Sequence, residues 1–262
     1  MKKILSFVLA MVCLLALAGC GGGAKKTDAP DSKAPAEKVL RVGTDADYPP
    51  FEYYQEASKA FIGFDIGLMQ GLATEMGYSK VEFVDLEFNN LLPSLKDGQV
   101  DAVISCMNIT DERRKMADFT EPYLKSYNVV IAAAGTEARS ADGVRGKRIA
   151  AEIGSIHEKQ AKKYSDAVIE SGGAEEAIKL ILAKKADFAI MDHFTARFYM
   201  NNFYNGKLAI VAALPGETDT DIAIAVAKGN QELLDRLNAG LRKYREAAAF
   251  YQLQTTYFGK LK

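Results

Sequence analysis

The chain of 262 residues has no tryptophan, two histidines and three cysteines. Each scarcity removes something. His157 and His193 stand far apart in sequence and have no cysteine partners, so neither a metal site nor a cofactor is expected. No nucleophile elbow and no phosphate loop is present. An excess of positive charge is lacking too, with 33 Lys and Arg against 34 Asp and Glu, and nothing points to a nucleic acid partner. Internal repeats are absent. Without tryptophan, fluorescence quenching is a poor way to follow binding.

What is there begins with a leader. Lys2 and Lys3 precede an uncharged, mostly apolar run from Ile4 to Gly19, too short to span a bilayer comfortably, and residues 1–19 read as an export signal. The run closes on Leu17-Ala18-Gly19-Cys20. This resembles the lipobox of bacterial lipoproteins, in which the cysteine is lipidated, palmitate included, and becomes the new N-terminus. Gly21 to Gly23 and a polar segment containing Pro and Ala follow, so residues 20–38 read as a flexible tether that cannot bury enough surface to order itself. The folded body is expected to start near Val39 and, at about 220 residues, to form one large domain or two lobes. Cys13 leaves with the leader and Cys20 carries lipid. Cys106 is then the remaining thiol, and no internal disulfide can form. The mature balance becomes 31 basic against 34 acidic residues, a net charge near −3.

Short apolar runs alternate with amphipathic stretches through the body. Val39 to Thr44, Val81 to Val84 and Ala102 to Ile104 read as strands, with helices over Phe64 to Met76 and Asn89 to Lys96. Asn128 to Ala134 looks like a strand crossing to a second unit. That unit has strands at Arg148 to Ile153, Phe188 to Met191 and Leu208 to Val211, and helices at Ser155 to Tyr164 and Ala174 to Lys184. Ile222 to Ala227 looks like the return crossing, and two helical stretches close the chain. Alternation of this kind predicts an α/β architecture with mainly parallel sheets.

The most informative segment runs from Ser105 to Arg113. A short strand delivers the chain to Ser105, and Thr110-Asp111 reads as a helix N-cap, so hydroxyl and amide donors gather where strand meets helix. Arg113 adds a planar fork able to pair both oxygens of a carboxylate. The spacing alone equally allows a solvated charge run, Arg113-Arg114-Lys115.

Five segments in order and spacing resemble the extracellular solute-binding proteins of polar amino acid ABC importers, family 3. They are VGTDADYPPFEY from Val42, FIGFDIGLM from Phe61, FNNLLPSLKDGQVDAVIS from Phe88, NITDERRKMADFTEPY from Asn108 and YFGK from Tyr257. The resemblance implies a bilobed periplasmic-binding-protein type II fold, two α/β lobes joined by two hinge strands. Lobe 1 would comprise 39–126 plus 221–262, and lobe 2 residues 127–220. It also implies a monomer that captures a free amino acid between its lobes for an ABC permease, held on the extracytoplasmic face of the cell membrane by its N-terminal lipid.

Carried over residue by residue, the resemblance places Arg113 on the ligand carboxylate and Asp192 on the ligand ammonium, a zwitterion trap with one charge per lobe. Ser105 and Asn108 would hold the ligand by hydrogen bonds, and Tyr48 and Phe88 would cover its aliphatic part. Asp45 would face its side chain or else brace its own loop. The chain departs from the pattern at Cys106, where glycine or serine is usual. It departs again at Gly154-Ser155-Ile156, where Ile156 lacks the usual threonine hydroxyl and Ser155 with the backbone amides would serve. Glu152 replaces a small or apolar residue. Facing the cleft with Asp45, it would favour a second positive charge on the ligand, such as lysine, arginine or ornithine; facing out, it says nothing. Two other readings share the fold. One is a cyclohexadienyl or arogenate dehydratase-like enzyme with Glu152 as its acid, disfavoured by the Arg113 and Asp192 pair. The other is a ligand-sensing module.

Overall fold

The computed structural model describes residues 38–138, 140–214 and 221–259. The leader 1–19, the lipidation candidate Cys20 and the rest of the tether except Lys38 lie outside the described residues. No helix among the described residues is long and apolar enough to cross a membrane.

The first half opens with β1 (Val39–Thr44), followed by a small antiparallel meander of β2 (Asp47–Tyr48), β3 (Glu52–Gln55) and β4 (Ala60–Ile62). Then come α1 (Phe64–Glu75), β5 (Lys80–Asp85), α2 (Leu91–Lys96), β6 (Ala102–Val103), α3 (Asp111–Met116), β7 (Ala117–Phe119) and β8 (Leu124–Lys125). The second half holds β9 (Asn128–Ala133), β10 (Ile149–Glu152), α4 (Ile156–Tyr164), β11 (Val168–Ser171), α5 (Ala174–Leu182), β12 (Phe188–Asp192), α6 (His193–Asn202) and β13 (Leu208–Leu214). The chain returns through β14 (Asp221–Ile222) and β15 (Ala225–Ala227) and ends in α7 (Gln231–Arg245) and α8 (Ala248–Phe258).

Two five-stranded sheets result, ordered β5-β1-β6-β15-β7 and β11-β10-β12-β9-β13. They form the cores of two α/β lobes. Both sheets are mainly parallel, as expected, each with a single antiparallel strand, β15 in the first and β9 in the second. The same strands correct the expected crossings. Asn128–Ala133 lies between β12 and β13 inside the second sheet, and its apolar run is explained by burial on both faces. The connection is the short pair β8 with β14, in register Lys125 to Asp221, which lies just before the first run and takes in Ile222, the first residue of the second.

Helix α1 shows how composition sets the packing. Phe64, Leu68, Met69 and Leu72 are fully buried. On the same helix, Gly67 and Gly71 leave room for Leu253 and Tyr244, whose atoms would lie 2.5 and 2.6 Å from an added Cβ. The two C-terminal helices dock there because nothing projects from α1 at those positions. Truncating a side chain such as Leu72 to alanine would cost about 2–5 kcal/mol.

Three strand-to-helix junctions point towards one another. β6 leads to α3 through the cap residue Thr110, β10 leads to α4 through the cap residue Ser155, and β12 ends at Asp192, the N-cap of α6. Ligands in open α/β sheets bind beyond the carboxyl ends of strands, and these junctions define that place.

Candidate functional site

A narrow cavity between the two sheets is lined by Asp45, Tyr48, Phe88, Ser105, Cys106, Asn108, Arg113, Glu152, Ser155 and Ile156. These are the residues expected from the sequence, with Asp192 left out. Glu52 and His157 line it as well. Sequence reasoning missed both roles, although Glu52 lies within one matching segment and His157 sits two residues past the Ser155 cap.

At one end Arg113 is held in place from both sides. Thr110 Oγ1 caps α3 by accepting from the Arg113 backbone N–H at 3.1 Å. The guanidinium donates to Asn108 O at 2.8 Å and, across the cleft, to Gly154 O at 3.2 Å. It lies 5.1 Å from the centroid of the Phe88 ring. A guanidinium that is 9% exposed and stacked this way is not part of a solvated charge run.

The other end is acidic. Glu152 faces the cavity and is 5% exposed. One oxygen from each of Asp45, Asp47 and Glu152 lies within 4.8 Å of the others. Burial, followed by the charge of Asp47, pushes the Asp45 carboxyl up to about 8. Burial, followed by the charge of Asp85, pushes Asp47 up to about 7. Glu152 is raised well above its ordinary value, chiefly by burial and then by Asp45 and Asp47. Asp45 Oδ2, Asp47 Oδ1 and Glu152 Oε1 have no hydrogen-bond donor among the described residues. Buried acceptors left in this state are costly, and a positively charged group in the cavity would relieve Asp45 and Glu152, which line it, and act at short range on Asp47, which stands behind them.

The wall facing Arg113 is already busy. Ser155 Oγ accepts from the amides of His157 and Glu158 at 3.1 and 3.2 Å and donates to Glu152 O at 2.6 Å. Its hydroxyl therefore caps α4. Ile156 is 8% exposed and contributes an apolar side chain to the lining. His157 stacks on Tyr48 at 6.1 Å, and its Nε2 meets Asn128 Oδ1 at 3.2 Å. Burial, with Arg113 adding to it, lowers the His157 ring to about 3, so it is neutral at ordinary pH. Cys106 is buried, with φ of 43°, in the left-handed region that a glycine would occupy without strain. Burial pushes its thiol up, which makes it unreactive.

Asp192 stands just behind the lining. Its carboxylate accepts from the Ser126 hydroxyl and from the Phe194 amide, and its backbone N–H donates to Tyr48 Oη at 3.0 Å. Burial raises it to about 7. Other contacts also join the lobes. Lys159 pairs with Glu112 at 2.8 Å, and Gly173 at the start of α5 lies so close to the Asp47 carboxylate that a Cβ there would overlap it.

Comparison with known proteins agrees with this geometry. The family model for bacterial extracellular solute-binding proteins, family 3, matches residues 40–260. An arginine-binding extracellular protein of Bacillus subtilis is 29% identical over 98% of this chain and 98% of its own length. A solved ancestral arginine-binding protein bound to arginine superposes with a TM-score of 0.78 at 31% identity, covering 84% of this chain and 98% of that one. An ancestral amino acid-binding protein, described as a precursor of cyclohexadienyl dehydratase, has a TM-score of 0.75 at 29% identity over 84% of this chain and 95% of that one.

Proposed function

The chain belongs to the bacterial extracellular solute-binding proteins, family 3, and from that premise we propose that it captures a cationic α-amino acid, with arginine the leading candidate, for an ABC importer. The observation that carries this is the acidic end of the cavity. Asp45, Asp47 and Glu152 converge with unsatisfied oxygens, and a guanidinium offers five donors in a plane to such a set. Arg113 takes the ligand carboxylate at the opposite end, exchanging contacts with backbone carbonyls for a charge-assisted pair. Asp192 takes the ammonium through a lone pair beyond those used by Ser126, Phe194 and Thr195, while Tyr48 and Phe88 cover the aliphatic stem. Asn108, Ser105 and the junction at Ser155 and Ile156 complete the enclosure.

The fuller reading is a monomer tethered through lipid on Cys20 at the extracytoplasmic face, with lobes of 39–126 plus 221–262 and 127–220, presenting its ligand to a permease. Closure brings both lobes onto the ligand, and a ligand that prefers the closed form shifts the protein towards it.

A thermal-shift screen against the L-amino acids tests the proposal, since a ligand that binds the folded state alone raises its melting temperature. Arginine, lysine or ornithine is expected to give the largest rise, with no chemical change in the ligand. Stabilisation by neutral amino acids alone would remove the cationic assignment. Conversion of prephenate to an aromatic product would replace binding with catalysis at Glu152.

A further inference from the structure

Two carboxyl groups at the floor of the cavity have no part in the contacts above. Glu52 on β3 and Asp65 in the first turn of α1 are both fully buried. Glu52 Oε1 accepts from the Ser105 hydroxyl at 3.1 Å. Asp65 Oδ2 accepts from the Cys106 amide at 2.8 Å and from the Tyr123 hydroxyl at 2.5 Å. The remaining oxygens, Glu52 Oε2 and Asp65 Oδ1, have no N–H or O–H donor among the described residues. Donors on neighbouring residues, Ser105 and Cys106, thus draw the two carboxyls together, each with one orphaned oxygen, and each perturbs the other. Two ionised carboxylates are acceptors only and would repel one another in such a place. The polar groups that face the pair are Asp45, Ser105, Cys106 and Tyr123, and none of them is a cation that could hold two negative charges together.

We infer that Glu52 and Asp65 share a single proton, and that this proton sets the direction of a hydrogen-bond chain that presents Ser105 to the cavity as an acceptor. Asp65, with two donors already on one oxygen, is the ionised member. Glu52, with one, is the acid. Burial raises Asp65 only to about 6, because Cys106, Tyr123 and Glu52 offset it, whereas Glu52 is raised well above its ordinary value. The chain then runs in one sense. The Asp45 amide donates to Ser105 Oγ at 3.0 Å and Ser105 donates to Glu52 Oε1; the shared proton then runs between the two orphaned oxygens, from Glu52 Oε2 to Asp65 Oδ1. Its own proton committed, the Ser105 hydroxyl has a lone pair left for the cavity it lines. That suits an ammonium or other N–H of the ligand and opposes a carboxylate. Glu52 and Asp65 are thus positioning residues for Ser105 and for the Cys106 backbone.

The Ser105 contact rests on the proposed amino acid ligand; the shared proton does not. A double-mutant cycle separates them. In Glu52→Gln the amide can still donate to Asp65 and accept from Ser105. In Asp65→Asn the amide can accept from Cys106 and Tyr123 while donating to an ionised Glu52. Each single variant is expected to weaken L-arginine binding by about 3-fold. The double variant, which turns two NH2 groups on each other, should lose about 100-fold or fail to fold. Thermal unfolding of the ligand-free proteins gives the same cycle without reference to any ligand. Infrared difference spectra of wild type against Glu52→Gln at neutral pH, recorded with and without arginine, supply a direct readout, because the carbonyl stretch of one protonated carboxylic acid should be missing in the variant. An undiminished stretch, or single variants as damaging as the double, would overturn the shared proton. Should wild type bind no amino acid while the unfolding cycle and the stretch behave as expected, the proposed ligand fails and the proton-sharing pair stands.

Discussion

The two ends of the cavity are built on opposite terms. At the Arg113 end the protein supplies the partners itself: Asn108 and Gly154 carbonyls, the Phe88 ring and the Thr110 cap. At the Asp45, Asp47 and Glu152 end it supplies acceptors and withholds donors. The first arrangement fixes geometry before any ligand arrives. The second stores an electrostatic cost that a cation can remove, so under the proposed function affinity for the backbone of an amino acid and selectivity for its side chain would fall to different residues.

Breaking the prepared end should have the largest effect. Arg113→Ala would leave a ligand carboxylate desolvated and unpaired, at a cost of about 2–5 kcal/mol, or roughly 30- to 4,000-fold in affinity. Calorimetric titration with L-arginine checks this, and near-normal affinity would refute the site. Breaking the other end should change preference more than affinity for amino acids in general. Asp45→Asn combined with Glu152→Leu should cut the ratio of cationic to neutral amino acid affinity by about 10- to 100-fold. An unchanged ratio in competition measurements would mean that these carboxylates do not read the side chain.

Changing pH sharpens the contrast without a substitution. Asp45 near 8 and Asp47 near 7 hold protons in the folded protein that an unfolded chain, with aspartate near 3.8, would have released. Their contribution to stability therefore falls as pH rises from about 4 through 8. A bound cation lowers both values and expels those protons, so affinity for arginine should increase several-fold between about pH 6 and pH 8. Flat affinity, with no proton release detected by titration in buffers of different ionisation enthalpy, would remove the acidic end from the ligand contact. The smallest effect is structural. Cys106→Gly should relieve a left-handed residue worth about 1 kcal/mol, offset in part by the lost side chain, and raise the melting temperature by about 2 °C. A lower melting temperature would show that the packed thiol outweighs the strain.

How much of this the sequence carried differs between the two ends. Arg113, Asn108 and Thr110 fall within six residues of one another, and local capping rules with one matching segment were enough to place them. The acidic end joins β1, β2 and β10 across the closed cleft, so no local pattern joins Asp47 to Glu152. The Glu52 and Asp65 pair was hidden for a related reason: its two members look like ordinary polar residues of an edge strand and a helix start. The first hinge strand was misplaced by the length of its apolar neighbour, and the second was met only at Ile222. A run buried on both faces is a sheet interior, and the pair β8 with β14 is too short to leave a pattern of its own.

Gly173 gives the meeting of the lobes a mechanical meaning. Because the start of α5 approaches the Asp47 carboxylate with no side chain between them, a methyl group at this position would act as a wedge. It would push the Asp47 carboxylate aside or bias the conformational population towards an open state, with no substitution among the lining residues. A wedge of that kind lowers apparent affinity by the fraction of molecules still able to close. The absence of a single side chain thus becomes a setting on how long captured cargo is retained before it can be passed on.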